Sequence, residues 1–328
     1  MLDNIPTRNL ALELVRVTEA AALSAGRYMG RGEKEAADYA AVEAMRLVLR
    51  AVDMHGVIVI GEGEKDNAPM LYNGEHVGNG SKPELDVAVD PIDGTRPLAF
   101  GRANSIAVVA MSPRGSMFNP GQIVYRNKIA VGPEAKGHIN IEKSITENLK
   151  SIAKAKGKSV EDLTTIILDR PRHEEMIAEI RRAGARIRQI PDGDVAAALM
   201  TALPDTGVDV LFGVGGTPEG VITACALRAM GGEIQGKLYA RDENELNRGR
   251  EAGYDFERVL TMDDLVSSED VFFAATGITD GELLQGVRYF GDGATTDSLV
   301  VRGLTGTVRH IKARHQIDKL HELSNLKY

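Results

Sequence analysis

The sequence predicts a mixed α+β and α/β fold in two parts, residues 1–158 and residues 159–328. Three observations predict it. Apolar positions recur at helical spacing through the first fifty residues or so. Short β-branched runs then follow one another up to about residue 111. Beyond the basic stretch Lys154-Ala155-Lys156-Gly157-Lys158, strand patterns alternate with helix patterns, which predicts a parallel sheet covered by helices. A chain of 328 residues exceeds the usual size of one core, and 43% hydrophobic with 26% charged residues is ordinary globular composition.

The first helix is expected from Thr7 as N-cap, with Leu10, Leu14, Val17 and Ala21 on one face, up to Gly30-Arg31-Gly32. A second runs from about Lys34 to Val52, with Val42, Met45 and Leu49 on one face and Lys34 and Asp38 one turn apart. Strands are expected at Val57 to Ile60, Leu85 to Val89 and Ser105 to Met111. In the middle one Leu85, Val87 and Val89 face one way and Asp86, Ala88 and Asp90 the other, so Asp90 is expected where the strand ends. The second part offers strands at Thr164 to Leu168, Ala185 to Ile190 and Val208 to Phe212. Its helices are expected at His173 to Ala183, Val195 to Ala202 and Pro218 to Met230. Further strands are expected at Thr295 to Val301 and Thr305 to Ile311, with no sheet assigned to them.

The formal net charge of -8 argues against nucleic acid or an acidic membrane surface as the main partner. An anionic substrate would need local cations, from metal ions held by acidic residues and from placed arginines. No apolar run is long enough to span a bilayer, and Met1-Leu2-Asp3-Asn4-Ile5-Pro6 lacks the basic-then-apolar order of a signal peptide. A cytoplasmic protein is expected. The single cysteine, Cys225, lies in an apolar stretch and reads as a buried, inert thiol.

Four acidic clusters stand at ends of elements, where open α/β sheets place ligands. They are Asp38 with Lys34, Glu62-Gly63-Glu64 with Asp66, Asp90 with Asp93, and Glu219 in Gly215-Gly216-Thr217-Pro218-Glu219. Alone, Asp93-Gly94 is an ordinary turn, and Gly215-Gly216 a tight strand-to-helix turn. Together they ask for more, because Asp90 and Glu62 follow strongly apolar strands, and buried carboxylates need a partner or a metal. Hard oxygen donors suit magnesium or manganese. Thr217 as N-cap before Pro218 marks a helix N-terminus suited to anions, and Gly94-Thr95 is a second candidate. Arg170-Pro171-Arg172 follows a strand and offers bidentate phosphate donors. Asp192-Gly193-Asp194 follows the next and offers acceptors for sugar hydroxyls, with Asp194 also expected as a helix N-cap. The histidines form no zinc motif, and His310 and His315 read as surface or interface residues. No nucleophile elbow, P-loop or dinucleotide fingerprint is present.

Asp90-Pro91-Ile92-Asp93-Gly94-Thr95 resembles the metal signature of the lithium-sensitive, inositol monophosphatase-like phosphatases. With Gly30-Arg31-Gly32, Glu62-Gly63-Glu64, Arg170-Pro171-Arg172-His173, Asp192-Gly193-Asp194 and Gly215 to Gly220, the chain resembles one branch of them, the bacterial class II fructose-1,6-bisphosphatases, from about Arg8 to His315. The resemblance implies a layered αβαβα sandwich and two or more Mg2+ or Mn2+ ions per active site. It implies Asp38 and Glu62 as ligands of one ion, and Asp90, Asp93 and Glu219 of a second. Implied substrate contacts are Asp93, Gly94, Thr95, Tyr125, Arg170, Pro171, Arg172, Asp192, Gly193, Asp194 and Gly216. Lys34, Glu64, Asp66 and Thr95 match positions that support catalysis. A homo-oligomer, dimer or tetramer, is implied as well.

Two departures bear on loop shape and substrate preference. Glu33 stands where the family has aspartate, and Arg96-Pro97-Leu98-Ala99-Phe100 differs from the usual stretch after the threonine. The expected reaction is hydrolysis of fructose 1,6-bisphosphate to fructose 6-phosphate and phosphate by metal-activated water, in gluconeogenesis. A phosphatase for sedoheptulose 1,7-bisphosphate or inositol phosphates, and a non-catalytic sugar-phosphate sensor, are the alternatives.

Overall fold

The computed structural model describes residues 10–62, 70–119, 121, 125–324, 326 and 328. Thr7, Gly63, Glu64 and Asp66 lie outside the described residues. The chain opens with α1 (Ala11–Gly26) and α2 (Lys34–Leu49), followed by β1 (His55–Ile60), β2 (His76–Val77), β3 (Glu84–Asp93), the short α3 (Thr95–Ala99) and β4 (Ile106–Pro113). Next come β5 (Tyr125–Val131), α4 (Ile145–Lys156), β6 (Thr164–Leu168), α5 (Glu174–Ala183), β7 (Arg186–Ile190) and α6 (Asp194–Met200). They lead to β8 (Val210–Gly216), α7 (Thr217–Met230), β9 (Glu233–Tyr239), α8 (Glu243–Glu251) and α9 (Met262–Leu265). The chain closes with β10 (Phe272–Gly277), β11 (Arg288–Phe290), β12 (Gly293–Arg302), β13 (Thr307–Gln316) and α10 (Ile317–Ser324).

The strands form two mixed sheets. The first has the order β11-β12-β10-β4-β3-β1-β2, with β13 paired to β12, so both strands expected in the tail return to it. The second has the order β7-β6-β8-β5-β9. There β6 runs parallel to β7 and β8, but β5 is antiparallel to both β8 and β9. The expected all-parallel sheet is thus interrupted by a strand from before the alternating region. The basic stretch at Lys154 to Lys158 is the end of α4, where Lys156 and Lys158 both pair with Asp209 beside that sheet.

Three apolar clusters set the layering. One face of the first sheet, with Val87, Val89, Val109 and Met111, packs on Leu14, Val17 and Ala21 of α1 and Val42, Met45 and Leu49 of α2. Its other face, with Ala88, Val108, Ala110 and Phe273, packs on α6 and α7, which also cover Ala130, Ile166, Leu211 and Ile234 of the second sheet. The far face of that sheet, with Ile129, Ile167 and Phe212, buries Leu149 and Ile152 of α4 and Ile177 and Ile180 of α5. This is the αβαβα sandwich. The sequence of α7 explains its place in the middle layer, because a helix apolar nearly all round must be covered on two sides. Each fully buried Leu, Val or Ile in these layers contributes roughly 1.5–3 kcal/mol. Cys225 of α7 is fully buried, and burial pushes its thiol up to about 12, as expected of an inert group. Among the described residues no helix is long and apolar enough to cross a membrane.

Candidate active site

The site begins with a break in a strand. Pro91 cannot donate to a sheet ladder, so the regular pairing of β3 with β4 stops at Asp90 opposite Val108 and resumes at Asp93 opposite Ile106. Asp90 is therefore the last regular residue before a bulge rather than the end of β3. Such a bulge re-aims side chains. Here it brings both aspartates into electrostatic contact with Glu219 at the start of α7. Asp90 Oδ1 accepts the Ile92 amide at 3.0 Å, which fixes the turn. Gly94 follows at φ 96°, a conformation that favours glycine, and Ser105 Oγ donates to its carbonyl at 2.7 Å. The reversal starts α3 and leaves the Thr95 hydroxyl 3.3 Å from Asp38 Oδ1 and 3.3 Å from the Ile92 carbonyl.

The other acidic groups arrive from separate elements. Asp38 comes from the first turns of α2, and Glu62 from the segment after β1, its amide bonded to the Leu71 carbonyl at 2.9 Å. Gly215-Gly216 stands at the strand-to-helix junction, where β8 passes directly into α7. It continues β8, with Gly215 opposite Arg126 and Gly216 opposite Tyr125. Glycine is required there for space. A Cβ on Gly215 would stand 2.1 Å from Asp194 Oδ2, and one on Gly216 would stand 1.6 Å from Glu219 Oε2. Gly216, not Thr217, is the N-cap of α7, because Thr217 already has its place in the first helical turn. Likewise Gly193 caps α6, and Asp194 is its first residue, its carboxylate held by the buried Lys128 ammonium instead of the helix amides.

Crowding dominates the electrostatics. Loss of hydration, then Asp93, Glu219 and Glu62, hold the Asp90 carboxyl well above the usual range. Loss of hydration, then Asp194, Glu219 and Asp192, do the same to Asp93, against the opposing charge of Lys128. Glu219 is raised by burial and by Asp194. Glu62 keeps an exposed face at the rim, yet the atoms around it still strip hydration and push its carboxyl up to about 7, helped by Asp38 and Glu219. Burial also raises Asp38, opposed by Thr95 and Lys34.

Among the described residues, two buried carboxylate oxygens, Asp93 Oδ2 and Glu219 Oε2, have no hydrogen-bond donor. Among the described residues no three of the acidic side chains already converge on one coordination point. The donor set is nonetheless all oxygen and mutually repelling, with two buried acceptors unsatisfied. Such a set fits hard divalent cations.

The sugar-phosphate candidates gather on the adjoining rim. Arg172 donates to the Val214 carbonyl at 2.8 and 3.1 Å, and its guanidinium lies 5.3 Å from the ring centroid of Tyr125. Arg170 approaches Asp192 Oδ1 at 3.4 Å, and Pro171 opens the short 3-10 turn that contains Arg172. Gly193 packs toward Asp93, where an added Cβ would lie 3.8 Å from Asp93 Oδ2. Lys34 is exposed, its ammonium 5.9 Å from the Phe100 ring. His315 departs from expectation, being bonded to Thr296 at 2.8 Å and set 3.7 Å from Glu19, whereas His310 is exposed.

Sequence reasoning missed Lys128 and Arg126. Both lie on β5 at i, i+2 spacing and face the middle layer, Lys128 bound to Asp194 and Arg126 against Gly220. Arg126 is fully buried, its guanidinium nitrogens without a hydrogen-bond partner among the described residues, and burial lowers it to about 10. Period-2 alternation of basic residues beside Tyr125 was the available signal.

A family model described as bacterial fructose-1,6-bisphosphatase, glpX-encoded, matches residues 8–315. Fructose-1,6-bisphosphatase 1 class 2 of Escherichia coli (strain K12) is 46% identical over 325 residues, covering 95% of this chain and 96% of that protein. The class 2 fructose-1,6-bisphosphatase of Shigella flexneri matches with the same identity and coverage. With that match spanning both sheets and each acidic cluster, the chain belongs to the bacterial, glpX-encoded fructose-1,6-bisphosphatase family.

Proposed function

We propose that this protein hydrolyses fructose 1,6-bisphosphate to fructose 6-phosphate and phosphate with the help of divalent metal ions, as a cytoplasmic enzyme of gluconeogenesis. The observation that carries this reading is the crowding of Asp90, Asp93, Glu62 and Glu219 into one site, with two buried oxygens that have no donor among the described residues. The names of its relatives supply the substrate.

Asp38 and Glu62 would hold one ion and Asp90, Asp93 and Glu219 another, with Mg2+ or Mn2+ the ions that suit oxygen donors. When bound, such ions supply Lewis acidity toward phosphoryl oxygens and lower the pKa of water. The chain's own residues do the rest. The Thr95 hydroxyl, tied to Asp38, orients the attacking water and holds its proton on the carboxylate side. Lys34 adds positive charge at the rim, where the scissile phosphate enters. Arg170, Arg172 and Tyr125 receive the phosphate that stays on the sugar, and Asp192 to Asp194 accept from sugar hydroxyls. Lys128 keeps Asp194 in place and offsets part of the negative charge around Asp93. Glu64 and Asp66 are assigned supporting roles through the family pattern. A dimer or tetramer is the proposed assembly.

Phosphate release from fructose 1,6-bisphosphate, sedoheptulose 1,7-bisphosphate and an inositol monophosphate, with Mg2+ or Mn2+ and after chelation, tests this reading. Fastest release from the first, abolished by chelation and restored by one of the ions, is the expected outcome. Saturable binding of the sugar bisphosphate with no metal-stimulated release would replace the enzyme with a sensor.

A further inference from the structure

We propose that Arg96 is a specificity-determining residue that, together with Arg170, receives the phosphate that is not cleaved. This rests on the function proposed above. Arg96 follows Thr95 directly in the first turn of α3. The helix under it is held firmly: the Gly30 amide donates to the Leu98 carbonyl and the Gly32 amide to the Ala99 carbonyl, both at 2.9 Å, and Pro97, Leu98 and Ala99 are buried. Only the Arg96 side chain is left exposed, and among the described residues it makes no hydrogen bond or ion pair.

The same rim carries the Asp192 turn. Gly193 seats that turn against the Asn104 carbonyl, 3.0 Å from where a Cβ would be, while Arg170 reaches Asp192 Oδ1 at 3.4 Å. The positive charges of Arg170 and Arg96 both act on the Asp192 carboxyl, opposing the rise that burial imposes. Two guanidinium groups act on this carboxylate, and its acidic neighbour Asp194 is already paired with Lys128, so one of the two positive charges is not matched by a carboxylate of its own.

A phosphate monoester carries roughly -1.5 to -2 charges near neutral pH. The cleaved phosphate lies against the carboxylates and their ions, so the distal one depends on cations of the chain itself. Arg172 also donates to the Val214 carbonyl and Arg170 to Asp192, so each brings only part of its donors to that phosphate, whereas the Arg96 guanidinium is uncommitted among the described residues. Its planar fork suits a phosphate. Asp192 then acts as a placeholder that keeps the approach preorganised until the phosphate arrives.

The test compares wild type, Arg96→Ala and Arg96→Lys on fructose 1,6-bisphosphate and on fructose 1-phosphate, which presents the same ester without the distal phosphate. Arg96→Ala is expected to raise KM for the bisphosphate about tenfold, the scale of one charge-assisted hydrogen bond, with a much smaller change in kcat. The preference for bisphosphate over monophosphate, as a ratio of kcat/KM, drops by the same factor, and Arg96→Lys recovers part of it. Inhibition by fructose 6-phosphate weakens in parallel, while inhibition by inorganic phosphate shifts less. Equal losses on both substrates, or an unaltered inhibition constant for fructose 6-phosphate, would overturn the assignment. If wild type cleaves neither sugar phosphate, the functional reading fails. Calorimetric binding of fructose 6-phosphate to wild type and Arg96→Ala still decides the role of Arg96, and equal or absent binding refutes it.

Discussion

The Glu219 carboxylate occupies the space where a side chain at Gly216 would begin, 1.6 Å from an ideal Cβ position. Gly216 itself has φ -61° and ψ 140°, a conformation open to any residue, so its requirement is for space and not for backbone freedom. Gly216→Ala should therefore fold, because the tip of one flexible side chain can move aside. It should also displace Glu219 from the acidic cluster and lower kcat on the order of 100-fold, the loss that a misplacement of about 1 Å in a reacting geometry can cause. Phosphate release and a thermal melt check this. Wild-type turnover in a folded Gly216→Ala protein would show that Glu219 need not hold this position.

Asp90 contributes negative charge to a site that already repels it. Replacing it with asparagine preserves shape and the acceptor for the Ile92 amide while removing a charge that Asp93, Glu219 and Glu62 all oppose. Turnover of Asp90→Asn should fall by about 1,000-fold or more, since the proposed metal ligand is lost. The melting temperature of the metal-free protein should hold or rise. Near-wild-type turnover would remove Asp90 from the mechanism, and a loss of folded protein would make its role structural.

Much of this architecture was legible in the sequence, for reasons that also explain the errors. Strand and helix periodicity placed β6, α5 and α7 within a few residues, because burial on one or two faces writes the pattern directly. The spatial meeting of Asp38, Glu62, Asp90, Asp93 and Glu219 came from motif resemblance, since no periodicity in one segment encodes contact with another. Gly215-Gly216 reads in sequence as a strand-to-helix junction, but the second constraint on the pair, the room taken by Asp194 and Glu219, is not written in local pattern. Lys128 escaped notice because a buried lysine is rare, and its justification, the Asp194 carboxylate, lies 66 positions away. The antiparallel place of β5 between β8 and β9 is likewise a long-range pairing that local pattern does not record.

Lys128 and Asp194 form an ion pair with side chains only 3% and 8% exposed. Removing one partner leaves the other charge buried and uncompensated, which costs roughly 3–5 kcal/mol. Lys128→Met should therefore destabilise strongly in denaturant melts, and the double variant Lys128→Met with Asp194→Asn should recover part of the loss. Independent, additive effects of the two substitutions would mean that the pair is not coupled.

The raised carboxyls make a signed prediction about pH. Glu62 titrates at about 7 in the folded protein against an ordinary 4.5, so between these values the folded metal-free chain holds a proton that the unfolded chain has released. Stability of the metal-free protein therefore rises as pH falls through about 7, and this gain is complete near the unfolded value. Asp90 and Asp93 act in the same direction, being raised too. The lowered His173 and His315 act oppositely, because the unfolded imidazoles take up protons first. Comparison with Glu62→Gln removes that background. The melting temperature measured with chelator should rise more, on going from about pH 8 to about pH 6, in wild type than in Glu62→Gln. With Mn2+ the dependence should invert, because the ion must displace those same protons, and its stabilising shift should be larger at the higher pH. Identical pH profiles for wild type and Glu62→Gln without metal would mean that Glu62 is not held in its raised state by this cluster.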